Sequence, residues 1–237
     1  MASLSAALWL CAPLARADTG AQPVPAAATA PAPAEALAPA PAQRSLWLRG
    51  ALFAGGAASA FLLHEGGHIV AGAALGGWPH LRPVRFLGFI PFFAVAPGLS
   101  CADQGCTRFG EPFPAGRPGA YLIFSAGFHV QHLTDELILT LEPNLAQADA
   151  PFRTGMLAFN TLLSVAYVTA NLIGIEPRAG DLGSISRVAN RPQLVANGLL
   201  LGAAALDLAR YQWPETAWLA WASRAAKVVL LGLALPF

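Results

Sequence analysis

Apolar residues in this chain are gathered into long runs with few charges, which is the pattern of candidate membrane-spanning segments. A bilayer core of about 30 Å needs roughly 20 apolar residues per helix. Residues 46 to 75, 119 to 141, 155 to 175 and 216 to 235 meet that requirement, and 193 to 210 makes a fifth. The run at 86 to 99 (FLGFIPFFAVAPGL) is different, because it is short and holds Pro91 and Pro97. It predicts a re-entrant hairpin or an interfacial strand pair whose backbone is shielded by protein. The expected fold is therefore an all-α integral membrane protein of about five transmembrane helices, with a β-hairpin or re-entrant segment near 86 to 99.

The first 43 residues break this pattern. Residues 4 to 14 (LSAALWLCAPL) are too short to span and are followed by Ala15-Arg16-Ala17, a small-x-small cleavage form, so residues 1 to 17 read as an export signal. Residues 18 to 43 are rich in Ala and Pro without periodicity, which predicts an extended, disordered linker. The polytopic body then occupies 44 to 237.

Composition agrees with a membrane class: 55% of the 237 residues are hydrophobic and only 11% are charged, where soluble domains carry about a quarter. A net charge of +1 with scattered Lys and Arg excludes a phosphate-collecting surface, so no nucleic-acid partner is expected. The arginines also set an orientation. With 86 to 99 re-entrant, one side holds Arg82, Arg85, Arg108, Arg117, Arg178, Arg187 and Arg191, while the other holds Arg44, Arg153 and Arg210. The Arg-rich side is predicted to be cytoplasmic. That places the mature N-terminus outside, as a cleaved signal requires, and points to a multi-pass protein of a bacterial inner membrane. Cys101 and Cys106 then face the cytosol, where thiols stay reduced.

The chemistry centres on His64-Glu65-Gly66-Gly67-His68. Histidines at i and i+4 project from one helix face and can give two imidazole nitrogens to one Zn²⁺. Glu65 beside them has the role of a general base toward zinc-bound water. Such residues inside an apolar helix carry a transfer cost that pairing or metal binding offsets. From Leu46 to His64 is eighteen residues, about 27 Å along a helix, so the motif lies in the cytoplasmic part of the membrane. Two histidines and a water leave room for one more protein ligand. Asp181, after a helix that returns to the same side, is the first choice, although Gly180-Asp181 is also ordinary turn chemistry. Asp207, within AALDLAR, is the rival.

A third polar island lies in the 119 to 141 run. His129, His132 and Glu136 fall close to one helix face, and Gln131 and Asp135 form a neighbouring i, i+4 pair. Intramembrane polarity of this density marks function. The island can hold the zinc ligands by hydrogen bonds, bind substrate or the oxyanion, supply a ligand, or pack helices together.

These residues resemble the site-2 protease family of intramembrane zinc metallopeptidases. His64-Glu65-Gly66-Gly67-His68 satisfies the family's HExGH pattern, and the stretch from Ala74 to Pro91 is similar to its Gly-rich passage into a membrane-associated β-hairpin. The family's Ala-Gly-Pro-x-x-Asn element becomes Ala126-Gly127-Phe128-His129-Val130-Gln131, with Phe for Pro and Gln for Asn. Its Asn-x-x-Pro followed by Asp-Gly resembles Asn171-Leu-Ile-Gly174 and Gly180-Asp181-Leu-Gly183, without the Pro or the Gly after Asp. The resemblance covers about residues 46 to 185. It implies Glu65 as the catalytic residue, His64, His68 and Asp181 as zinc ligands, and Gln131, His129, His132 and Asn171 as groups that touch substrate or the oxyanion or support the ligands. The implied partner is a membrane-protein substrate, single-span, met in the lipid bilayer. The dozen residues from 142 to 153 leave no room for the PDZ-type domain of many relatives. Three other functions remain open: a different membrane metal-dependent hydrolase, a non-catalytic metal-binding or transport protein, and a degenerate relative that acts as a scaffold.

Overall fold

The computed structural model describes residues 44 to 86, 90 to 96, 116 to 175, 180 to 189 and 192 to 232. The predicted signal and linker, and Cys101 and Cys106, lie outside the described residues. Within them the chain is mostly helical, with six helices and one two-stranded sheet in the order α1 (Leu46–Ala74), β1 (His80–Phe86), β2 (Ile90–Ala96), α2 (Gly116–Leu141), α3 (Pro151–Leu172), α4 (Asp181–Ala189), α5 (Gln193–Gln212) and α6 (Ala217–Gly232).

Helix α1 begins where the Ser45 side chain accepts the Leu48 N–H at 3.3 Å, an N-cap that satisfies one of the first unpaired donors. It ends in a Schellman turn. Gly76 is left-handed at φ 79°, Gly76 N–H bonds Ala73 O, and Gly77 N–H reaches back to Gly72 O at 2.7 Å. Helix α3 starts with Pro151 as its first residue, where the missing N–H costs nothing. It closes with the same device, Gly174 at φ 73° and Ile175 N–H on Ala170 O at 2.9 Å.

Three helices, α1, α3 and α5, are long and apolar enough to cross a membrane. Helices α2 and α6 occupy the other two predicted spans without joining that set. Helix α2 carries His129, Gln131, His132, Asp135 and Glu136 along its length, and α6 has only 16 described residues. Helix α4 fills what read as a loop. The hairpin near 86 to 99 is present as an antiparallel pair, but it begins earlier, with His80 opposite Ala96 and Phe86 opposite Ile90. Arg82 and Pro83 gave the first strand the appearance of a polar connection.

Helices α1 and α3 cross at glycines. A Cβ on Gly56 would strike the Phe152 carbonyl, and one on Gly155 would strike the Phe53 carbonyl. Two apolar clusters hold the bundle. One joins Tyr121, Phe128, Val168, Leu182, Ile185 and Leu200; the other joins Ala60, Ile138, Leu139, Leu145, Met156 and Leu157. Around them the usual distribution is inverted. Leu62, Val70, Leu133, Leu162 and Leu172 are exposed, whereas Glu65, Asp135, Asp207, Arg210 and Lys227 are buried. Large exposed apolar surfaces of this kind mark a partner or a membrane.

Candidate metal centre

The two histidines are one turn apart on α1, and their rings meet at 5.1 Å between centroids. Both are buried, His64 to 1% and His68 to 4% of their surface. The His68 ring is held by a hydrogen bond of 2.8 Å between Nδ1 and the Ile123 carbonyl of α2. A carbonyl only accepts, so Nδ1 carries a proton and Nε2 is the nitrogen left to face an ion. The His64 and His68 Nε2 atoms are 3.4 Å apart.

Asp181, the first residue of α4, closes the triangle. Its Oδ2 lies 3.6 Å from His64 Nε2 and 3.4 Å from His68 Nε2. Donor atoms on a tetrahedral zinc with bonds of about 2.0 to 2.1 Å stand about 3.3 to 3.4 Å apart. The three sides of the triangle therefore fit one ion without rearrangement. Burial disfavours the charged carboxylate of Asp181, but the His68 and His64 rings outweigh it and hold the group well below the usual carboxylate range. Asp181 is an anionic donor at neutral pH.

The space in front of the two nitrogens is kept by Gly127 of α2. A Cβ there would lie 2.5 Å from His68 Nε2 and 2.6 Å from His64 Nε2. Any other residue would fill the place an ion needs. Gly67 permits this approach, because its Cβ would come within 2.7 Å of the Ala126 carbonyl. Close packing of α1 on α2 and an open metal position thus depend on neighbouring glycines.

Glu65 is buried beside this triangle, and its Oε2 accepts the Val95 N–H at 2.8 Å. Val95 pairs with Leu81 across the hairpin, and its N–H points away from β1 toward α1. The outer edge of β2 thereby orients the carboxylate.

Tyr167 of α3 is a member of the site that the sequence did not reveal. Its hydroxyl donates to Asp181 Oδ2 at 2.9 Å, and its ring stacks on His64 at 6.3 Å with an angle of 29°. Phe128 packs edge-on against both rings, at 5.2 Å from each. Phe128 is thus a wall of the site.

The other candidate residues stand elsewhere. The Gln131 amide donates to Asn160 O at 2.7 Å and to Ser164 Oγ at 2.6 Å, so both of its hydrogens go to α3. Asn171 accepts from Asn197 Nδ2 at 2.9 Å and links α3 to α5. His129 Nε2 is 2.8 Å from Ser125 Oγ on its own helix. His132 and Asp207 belong to a second buried group with Asp135, whose donor atoms lie within 4.8 Å of one another. Asp207, the rival ligand, is therefore assigned to that group and not to the His64 triangle. Glu136 gathers Arg210, Arg224 and Lys227 at 2.6, 2.8 and 3.0 Å.

No protein-family model, curated protein or solved structure matches this chain.

Proposed function

We propose that the protein is a zinc-dependent intramembrane endopeptidase of the site-2 protease type, hydrolysing a peptide bond in or near a substrate's transmembrane segment. The observation that carries this reading is the triangle of His64, His68 and Asp181. The two histidines come from α1 and Asp181 from α4, more than a hundred positions later, and the three meet at zinc spacing next to a buried glutamate. The inverted distribution of polar and apolar residues supports a bundle surrounded by lipid, with α1, α2, α3, α5 and α6 as its spans.

Zinc held by the two Nε2 atoms and Asp181 Oδ2 would supply Lewis acidity to a water and to the scissile carbonyl. Glu65 takes a proton from the attacking water and later delivers it to the leaving amine. Val95 N–H holds the Glu65 carboxylate in one orientation while this occurs. The Tyr167 hydroxyl holds Asp181, and the Ile123 carbonyl keeps His68 in the tautomer that presents Nε2. Gly127 leaves room for the reacting groups. By the arginine distribution the site faces the cytoplasm, and the substrate class is a single-span membrane protein that reaches it through the bilayer.

A non-catalytic metal carrier or a scaffold needs no carboxylate between the two histidines. The test compares wild type with Glu65→Gln in proteoliposomes containing a panel of single-span reporter proteins. Wild-type protein should cleave a reporter and Glu65→Gln should bind zinc equally but cleave about 10² to 10⁴ times more slowly. Equal cleavage by the two proteins defeats the proposal.

A further inference from the structure

About two turns further along α2 than Gly127, a second set of donor atoms is gathered that the peptidase chemistry does not use. His132 and Asp135 of α2 and Asp207 of α5 are exposed by only 4%, 2% and 0%. One donor atom from each lies within 4.8 Å of the other two. Both ring nitrogens of His132 lack a hydrogen-bond partner among the described residues, and so does Asp207 Oδ2. His132 Nδ1 and Asp207 Oδ2 face each other at 3.9 Å, too far for a hydrogen bond. Buried polar atoms are ordinarily paired, and here two unpaired ones, His132 Nδ1 and Asp207 Oδ2, are neighbours.

Both carboxylates are restrained by hydrogen bonds. Asp207 Oδ1 accepts the Ser223 hydroxyl at 2.6 Å and pairs with Lys227 at 2.8 Å. Asp135 Oδ1 accepts the Asn160 amide at 2.7 Å. For Asp207 this is how a ligating carboxylate is held, with Oδ1 hydrogen-bonded and Oδ2 left unpaired. Charge points the same way. Of the two carboxylates only Asp207 has a cation, Lys227 at 2.8 Å, and Glu136 also draws on it at 3.0 Å. Asp135 has no ion-pair partner among the described residues. A bridging water would satisfy hydrogen bonds but bring no charge. A divalent cation would balance both carboxylates, and the imidazole selects a transition metal over Mg²⁺ or Ca²⁺.

We infer that His132, Asp135 and Asp207 form a second, structural site for a divalent transition metal of the zinc type, clamping α2 to α5. The site is separate from the His64 triangle and does not depend on the proposed peptidase activity.

The experiment measures zinc per chain by elemental mass spectrometry on untagged, full-length protein purified from zinc-supplemented cells. Wild-type protein should carry two equivalents. His64→Ala/His68→Ala protein, which lacks two donors of the first centre, should keep one. Adding His132→Gln or Asp207→Asn should remove it. Asp207→Asn retains the shape that Ser223 holds and decides the matter if His132→Gln does not fold. A His64→Ala/His68→Ala protein without zinc, or an equivalent that survives both added substitutions, overturns the inference. The zinc lost between wild type and His64→Ala/His68→Ala reports on the first centre alone, so the two readings fail separately.

Discussion

Replacing Gly127 by Ala adds one methyl group at the point where α2 faces both donor nitrogens. That carbon would stand 2.5 Å from His68 Nε2, 2.6 Å from His64 Nε2 and 2.7 Å from His64 Cε1, whereas ordinary contact begins at 3.4 Å. To accept it the rings must retreat by about 0.9 Å, the difference between 3.4 and 2.5 Å. Zinc sites tolerate bond-length departures of about 0.2 Å, so the triangle opens beyond use. Changes in the groups around a site already cost about 10- to 100-fold in affinity, and displacing two ligands should cost at least the upper figure, about 2.7 kcal/mol. Helix propensity acts in the opposite sense, because Ala is favoured over Gly by about 0.5 to 1 kcal/mol within a helix. Loss of zinc without loss of helicity is therefore the expected signature. Competition against a chelator of known affinity, with circular dichroism in parallel, measures both. Gly66→Ala is the control, since nothing lies within 4 Å of its Cβ position, and it should bind zinc as wild type does. A Gly127→Ala protein whose zinc affinity stays within about threefold of wild type, against the loss of about 100-fold or more expected, would refute the reasoning.

Three further outcomes follow from the same geometry. Tyr167→Phe removes a hydrogen bond to a carboxylate, worth about 1.5 to 3 kcal/mol, and should weaken zinc binding about 10- to 100-fold by chelator competition. Val95→Pro deletes the N–H that holds Glu65 but leaves the hairpin ladder intact, because that N–H faces outward; reporter cleavage should fall about tenfold or more with zinc content unchanged, from loss of a charge-assisted hydrogen bond. Gly56→Val and Gly155→Val each force side-chain atoms into a carbonyl of the facing helix, and thermal unfolding in detergent should show destabilisation of at least about 1 to 3 kcal/mol.

His64, Glu65 and His68 were legible because a helix converts their i, i+4 spacing directly into a shared face. Asp181 was reachable by a topological expectation: a ligand was expected on the membrane side where the motif ends, and the predicted span 155 to 175 would bring the chain back there. Tyr167 left no such trace. One tyrosine in an apolar run has no period, and it meets Asp181 only because α4 packs against α3. Helix α4 was itself missed, since nine residues containing Gly183, Ser184 and Ser186 read as a connection. From the family resemblance Gln131 and Asn171 were expected to touch substrate or the oxyanion or to support the ligands. In the fold their amides tie helices together, an outcome the sequence pattern does not distinguish, because either use calls for a polar residue on the inner face of an apolar helix. The early start of β1 was hidden by Arg82 and Pro83, which are loop formers by composition and strand residues here by pairing.

The central claim is that His64, His68 and Asp181 hold one zinc ion together. Its most direct test is zinc content in a His132→Gln background, where the second group cannot contribute. One equivalent per chain that disappears on adding Asp181→Ala is the result this account predicts. An equivalent that remains after Asp181→Ala, or no zinc at all before it, would contradict it.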